Sequence, residues 1–451
     1  MVDFEEVAIS NPERSTSENA KHKRAADFSV FGYPVFFGWV VVAGCFCMSI
    51  VSGAFFYARG IFLPQMADEF GGSRLDVTLA FTIAQAVGAF AAPVIGHLLD
   101  KHHPRRILLG GAVMVTMGYV ATAYASTYLM LYAIFGLLFG AGWRAISSFA
   151  TSRVLVQWFR RKRGLALSLD VAGASFAGVF VPVIAVWLMA TYGWRVGFAS
   201  FGVLTIGLVV PLVMFVIHRA PEDLGLYPDG DKEPLQAETG GETEGEAGRG
   251  EERLWTTREL FRIPAFWMLI VLFSAMFCVW QGVNMHLFGH FTNGRFTAEQ
   301  AGVLLSLMGL FILSGKPILG WFADWATPKA AIAVALICQL VGVFLFWFGD
   351  TYLFAVLGVV TYGFGFSSVT PLQSMATAAV FGTAAYGKAN GLMQPFMLPV
   401  ALIASPLAAW IYDTTGSYTN AFLQFLIILV VALPILVLIK LRAPPDLNRT
   451  K

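Results

Sequence analysis

Between residues 36 and 439, long apolar runs alternate with short polar breaks. A helix needs roughly 20 apolar residues to cross a hydrocarbon layer about 30 Å thick, because each residue rises ~1.5 Å. The pattern predicts helix 1 over Phe36–Ala58 and helix 2 over Val77–Leu99. The uncharged stretch Ile107–Trp143 is too long for one span and folds near Tyr124–Tyr128 into helices 3 and 4. Helix 5 begins near Gly164 and helix 6 ends near Ile217. Six more runs predict helices 7 to 12: Pro264–His290, Ala298–Ala323, Ala330–Phe348, Tyr352–Val380, Ala389–Tyr412 and Thr419–Ile439. A membrane barrel would instead show short alternating segments. The expected class is an all-α membrane protein with twelve transmembrane helices in two six-helix bundles.

The polar segments divide this series. Residues 1–27 read as a polar N-terminal tail, 28–218 as the first bundle, 219–262 as a linker, 263–441 as the second bundle and 442–451 as a C-terminal tail. The linker is rich in Gly and Glu, too polar to bury and suited to a flexible connection. The first 27 residues lack the short apolar core and small-residue cleavage site of a signal peptide.

Composition agrees with a hydrocarbon solvent. Of 451 residues, 57% are hydrophobic and 13% charged, where soluble domains carry roughly 25% charged residues. A net charge of +2 gives no reason to expect a nucleic-acid partner. Cys45, Cys47, Cys278 and Cys338 all lie in apolar runs and read as small buried hydrophobes, so neither metal nor cofactor is expected. Lys and Arg collect on one side: Lys101, Arg105, Arg106, Arg160, Arg161, Lys162, Arg163, Lys329 and Lys388. By the positive-inside rule that side, with both termini, is cytosolic. A multi-pass protein of the inner, cytoplasmic membrane, working as a monomer in the lipid bilayer, is the expectation.

The two bundles are related in sequence. Pro93-Val-Ile-Gly96-His-Leu-Leu-Asp100 ends helix 2, and Pro317-Ile-Leu-Gly320-Trp-Phe-Ala-Asp324 ends helix 8. The same offset of 224 positions takes Pro182 to Pro406 and Phe198 to Phe422. Repeats of this kind place a solute site near the membrane midplane between the halves, reached alternately from either side.

Gly96-His-Leu-Leu-Asp100-Lys-His-His-Pro-Arg105-Arg106 resembles the loop 2–3 signature of the major facilitator superfamily, with His103 where a glycine is usual. The resemblance covers essentially the whole chain and implies that Asp100, Arg105, Arg106 and Asp324 serve a cytosolic gate. Trp158-Phe159-Arg160-Arg161-Lys162-Arg163-Gly164, with Ala172-Gly173-Ala174-Ser175, is similar to the helix 5 entry of the monocarboxylate porters, including bacterial oxalate/formate-type exchangers. Phe37-Gly38-Trp39-Val40, Pro221-Glu222-Asp223-Leu224-Gly225-Leu226 and His286-Leu287 support the narrower resemblance. It implies transport of a small organic anion, by proton symport or exchange.

Charges at membrane depth cost about 2.5–3.5 kcal/mol each and mark cavities or partners. Lys316 lies eight residues before Asp324, about 12 Å inward. In the resembling family an arginine usually stands there and pairs with the substrate carboxylate. Lysine keeps the charge without the planar fork; a stem reaching the interface is the alternative. Arg144 and Asp170 flank the same loop at similar depths, about 13 and 10 Å inward. Two readings stay open: a structural ion pair, or Arg144 binding carboxylate while Asp170 takes a coupling proton. The repeat takes Asp170 to Gln394, which suggests that both face the central cavity. His286, beside Gln281 and Asn284, is either a locally bonded helix-end histidine or a second proton relay. Arg59, near the end of helix 1, either attracts anions or reaches headgroups.

The expected activity is secondary transport of an organic anion, a monocarboxylate, with bulky aromatic acids among the candidates. The alternative is proton-driven efflux of drugs or other hydrophobic compounds, against which helix 5 has Val181-Pro182 and no Gly-Pro kink. No zinc motif, nucleophile elbow or phosphate loop points to an enzyme.

Overall fold

The computed structural model describes residues 29–30, 33–34, 36–230, 255–382 and 385–439. Both expected tails and the linker stretch 231–254 lie outside the described residues. Eleven helices among them are long and apolar enough to cross a membrane. One of these, Arg163–Phe215, has 53 residues. At ~1.5 Å per residue it would be about 80 Å long, far beyond a 30 Å core. It turns back at Gly193, whose φ of 78° a side chain would disfavour. Helices 5 and 6 are therefore joined with almost no loop, and the spans number twelve in two bundles of six. A two-residue antiparallel pairing, Ser29–Val30 with Tyr33–Pro34, precedes helix 1.

Several helices overrun the lengths their apolar runs predict. Helix 1 is Gly38–Glu69, eleven residues past the expected Ala58. Arg59 thus sits inside the helix rather than at its end. Helix 4 covers Tyr128–Trp158 but is not continuous. A π-helical turn at Phe135–Gly140 is followed by one α-turn and a break at Ser147. Such turns recur at functional sites.

The linker returns to the first bundle at Asp229. Its carboxylate accepts from the backbone N–H of Arg160 (2.9 Å), Arg161 (2.8 Å) and Lys162 (3.3 Å). Partial burial pushes this carboxyl up, but the three backbone bonds outweigh it and hold it below its ordinary value.

Contacts between the bundles depend on glycine, as expected where no hydrophobic force drives helices together in lipid. A Cβ on Gly309 of helix 8 would lie 2.1 Å from the Gly178 carbonyl oxygen of helix 5. A Cβ on Gly60 of helix 1 would lie 2.6 Å from the Met285 oxygen of helix 7. Gly309→Ala therefore forces the halves apart where they meet, at an overpacking cost of about 1–3 kcal/mol. The expected result is a roughly 5- to 150-fold shift away from this arrangement, with each bundle still folded. Faster maleimide labelling of a cysteine placed at Asn284 measures it; an unchanged labelling rate contradicts it.

Candidate functional site between the halves

A cavity of about 550 Å³ lies between the bundles. Its wall carries two cationic side chains, Arg144 and Lys316, and, among the described residues, no carboxylate. Hydroxyls of Ser52, Ser147, Ser148, Ser175 and Thr370 and rings of Phe56, Tyr57, Trp143, Phe277, Trp280 and Phe366 make up most of the rest.

Lys316 is presented by helix 8, and its ammonium donates to the Ser175 hydroxyl of helix 5, bridging the two halves. Arg144 lies in the short α-turn Ala141–Ile146, just before the Ser147 break. Its guanidinium lies over the Phe149 ring, 4.4 Å from the centroid. The Arg144 Nε is buried without a hydrogen-bond partner, a costly state.

Asp170 does not pair with Arg144, so the direct ion pair is ruled out by the geometry. Its carboxylate is fully buried inside the first bundle. Ser49 Oγ of helix 1 donates to Oδ1 (2.6 Å) and Thr151 Oγ1 of helix 4 donates to Oδ2 (2.8 Å). Helix 1 comes this close because residue 173 is glycine: a Cβ there would meet the Phe46 oxygen at 2.3 Å. Ser49 Oγ also lies 3.0 Å from Ser148 Oγ. The single Ser49 hydrogen is committed to Asp170, so Ser148 is the donor in that contact. Ser148 lines the cavity. A chain of hydroxyls therefore connects the cavity to a carboxylate that does not itself line it.

The other polar residues singled out in the sequence lie elsewhere. Arg59 is buried in the seam between helices 1 and 7 on the side opposite the linker. Its Nη2 donates to Gln281 Oε1 (3.2 Å) and Asn284 Oδ1 (3.4 Å), and its guanidinium lies 4.0 Å over Phe56. Neither Arg59 nor Asn284 lines the cavity. His286 is fully buried, with Nε2 bonded to the Ser405 carbonyl (2.8 Å) and Nδ1 to the Tyr418 hydroxyl (3.2 Å). Tyr418 in turn accepts from Arg74 (2.6 Å), the first residue of helix 2, which spans Arg74–Lys101. His286 thus belongs to the seam. Gln394 is exposed and outside the cavity wall, so the shared outlook of Asp170 and Gln394 is not realised.

At the linker-side end, Asp100 pairs with Arg153 of helix 4 rather than with Arg105 or Arg106. Arg105 Nε donates instead to the Ile217 carbonyl (2.5 Å), and Arg106 is exposed. The repeat takes Arg153 to Thr377, so exposed Asp324 has no cation at the matching place.

The hydrogen bonds across the halves are distributed unevenly. On the far side Asp413 accepts from the N–H groups of Arg74 (3.0 Å) and Leu75 (2.8 Å), capping helix 2, and Gln281 bonds Gln85. Arg59 and Tyr418 add to this seam, and Lys316–Ser175 closes the series at the cavity. On the linker side of that bridge, Leu165, Leu169, Trp321 and Trp325 are exposed.

Two helical bundles of membrane-spanning length, around a cavity lined by two cations, hydroxyls and aromatic rings, define a multi-pass membrane transporter. The sequence pattern of the Major Facilitator Superfamily matches residues 45–401, and the chain belongs to that family. It is similar to human Monocarboxylate transporter 11, 26% identical over 404 residues, covering 86% of this chain and 79% of the relative. Monocarboxylate transporter 13 of Bos taurus is 25% identical over 387 residues, 85% of each chain. Among solved structures, the nucleoside transporter NupG superimposes with a TM-score of 0.68 at 13% identity, over 90% of this chain and all of that one. A bacterial homolog to the human lysosomal transporter Spinster, inward-facing and unoccupied, gives 0.67 at 12%, over 89% and 96%. These structural likenesses show the fold.

Proposed function

We propose that this protein is a secondary active transporter of a small organic anion, a monocarboxylate, across the cytoplasmic membrane by alternating access. The carrying observation is the charge of the cavity wall: two cations and, among the described residues, no carboxylate lining it. The similarity to monocarboxylate transporters supports the same class. With the Lys- and Arg-rich side taken as cytosolic, the arrangement is inward-facing: the seam is shut on the outside and the cavity opens toward the linker side.

In this reading the substrate carboxylate meets Arg144 and competes with Ser175 for Lys316, exchanging one bridge between the halves for another. A proton entering with it follows the hydroxyls. A cavity hydronium gives its proton to Ser148, Ser148 gives its own to Ser49, and Ser49 gives its own to Asp170. The hydronium becomes water, both serines remain neutral, and Asp170 becomes a carboxylic acid. Anion and proton then cross together without net charge. Efflux of hydrophobic compounds is less well supported, because an uncharged passenger would leave both cations uncompensated.

Uptake by proteoliposomes of labelled carboxylates, with and without an imposed pH gradient, tests the proposal. A carboxylate that accumulates when the outside is acid is expected. Expulsion of neutral or cationic compounds, with every acid ignored, would overturn it.

A further inference from the structure

We infer that the passenger is an aromatic monocarboxylate, its ring held flat against Trp280 while its carboxylate meets Arg144 and Lys316. This rests on the organic-anion reading and narrows it. A three-carbon acid has six heavy atoms. At no more than a water's ~30 Å³ each they fill under about 180 Å³, a third of the ~550 Å³ cavity. The remaining space is bounded mainly by rings, not by branched aliphatic side chains.

Those rings share an orientation. Trp280 and Phe366 stack with centroids 3.9 Å apart and planes 7° apart. Phe56, contributed by the other half, faces Trp280 at 6.2 Å with planes 13° apart. Phe277 meets Phe366 edge-on, at 81°. A ring inserted between Phe56 and Trp280 needs about 7 Å, twice the ~3.5 Å carbon contact distance. The 6.2 Å between the two centroids is within about 1 Å of that spacing, and the rings belong to the halves that must move. The polar end matches a single carboxylate: Arg144 and Lys316 both line the wall, among the described residues no carboxylate lines it beside them, and the Lys316 ammonium bonds one hydroxyl.

The ring is what distinguishes this from a cavity that accepts any bulky acid, so the test compares phenylacetate with cyclohexylacetate, of similar size but without a π face. Both compete, alongside acetate and lactate, against labelled phenylacetate for uptake by proteoliposomes. Phenylacetate is expected to compete about 10-fold better than cyclohexylacetate, and Trp280→Leu to bring that ratio to within about 2-fold. Phe56→Leu, from the opposite half, repeats the test if Trp280→Leu fails to fold. Equal competition by the two acids, preference for lactate, or a ratio unmoved by the substitution would overturn the inference while leaving anion transport standing. Failure of every acid to enter would sink the anion reading itself.

Discussion

Lys316→Gln is expected to lower saturable organic-anion uptake by roughly 10- to 150-fold in kcat/KM, the worth of one hydrogen bond to a charged group. Glutamine is one atom shorter but keeps an N–H donor that can turn to Ser175, so the main thing removed is the charge. Lys316→Arg should retain most activity, since the site needs a cation and the cavity has room for a fork. Thermal stability should barely change, because the Lys316 ammonium makes one described bond, to one hydroxyl. Transport kinetics and a melting curve on the same preparations check both parts. A variant with intact kinetics removes Lys316 from the site.

Asp170→Asn is expected to abolish accumulation driven by a pH gradient while exchange of anion for anion persists. A 1:1 proton symporter concentrates its passenger by about tenfold per pH unit, and that ratio should fall to about one. Asparagine preserves the shape and can still receive Ser49 or Thr151, so folding should survive. Ser49→Ala separates the carboxyl from its route. It leaves Asp170 and Thr151 bonded but removes the middle oxygen between them and the cavity. Gradient-driven uptake should slow by roughly 10², with exchange untouched. Accumulation that continues in Asp170→Asn would make the buried carboxylate a structural element of the bundle.

The membrane spans were legible because hydrocarbon demands long uninterrupted apolar runs, and this chain obeys almost everywhere. The exceptions carry a physical reason. Helix 1 passes through Arg59 to Glu69 because Gln281 and Asn284 receive its guanidinium across the seam, while Phe56 of the same helix lies beneath it. The break at Ser147 had no proline or glycine to announce it. Arg144 and Lys316 stood out because isolated cations in apolar runs are conspicuous. Their companions did not: Ser49, Ser148, Thr151 and Ser175 are ordinary in membrane helices, and only the fold brings them to Asp170 and Lys316. Of the two readings left open for Arg144 and Asp170, the ion pair does not form, because equal depth does not fix which way a side chain turns. Asp170 faces helix 1, while Arg144 faces the cavity. His286 was conspicuous by its chemistry, yet the carbonyl of Ser405 and the hydroxyl of Tyr418 occupy both of its nitrogens.

The most direct test is equilibrium binding of phenylacetate and lactate to the purified protein by calorimetry, repeated with Arg144→Gln/Lys316→Gln. The account predicts saturable binding of at least one acid to the native protein and none to the doubly neutral cavity. Unaltered binding after both charges are gone would contradict it.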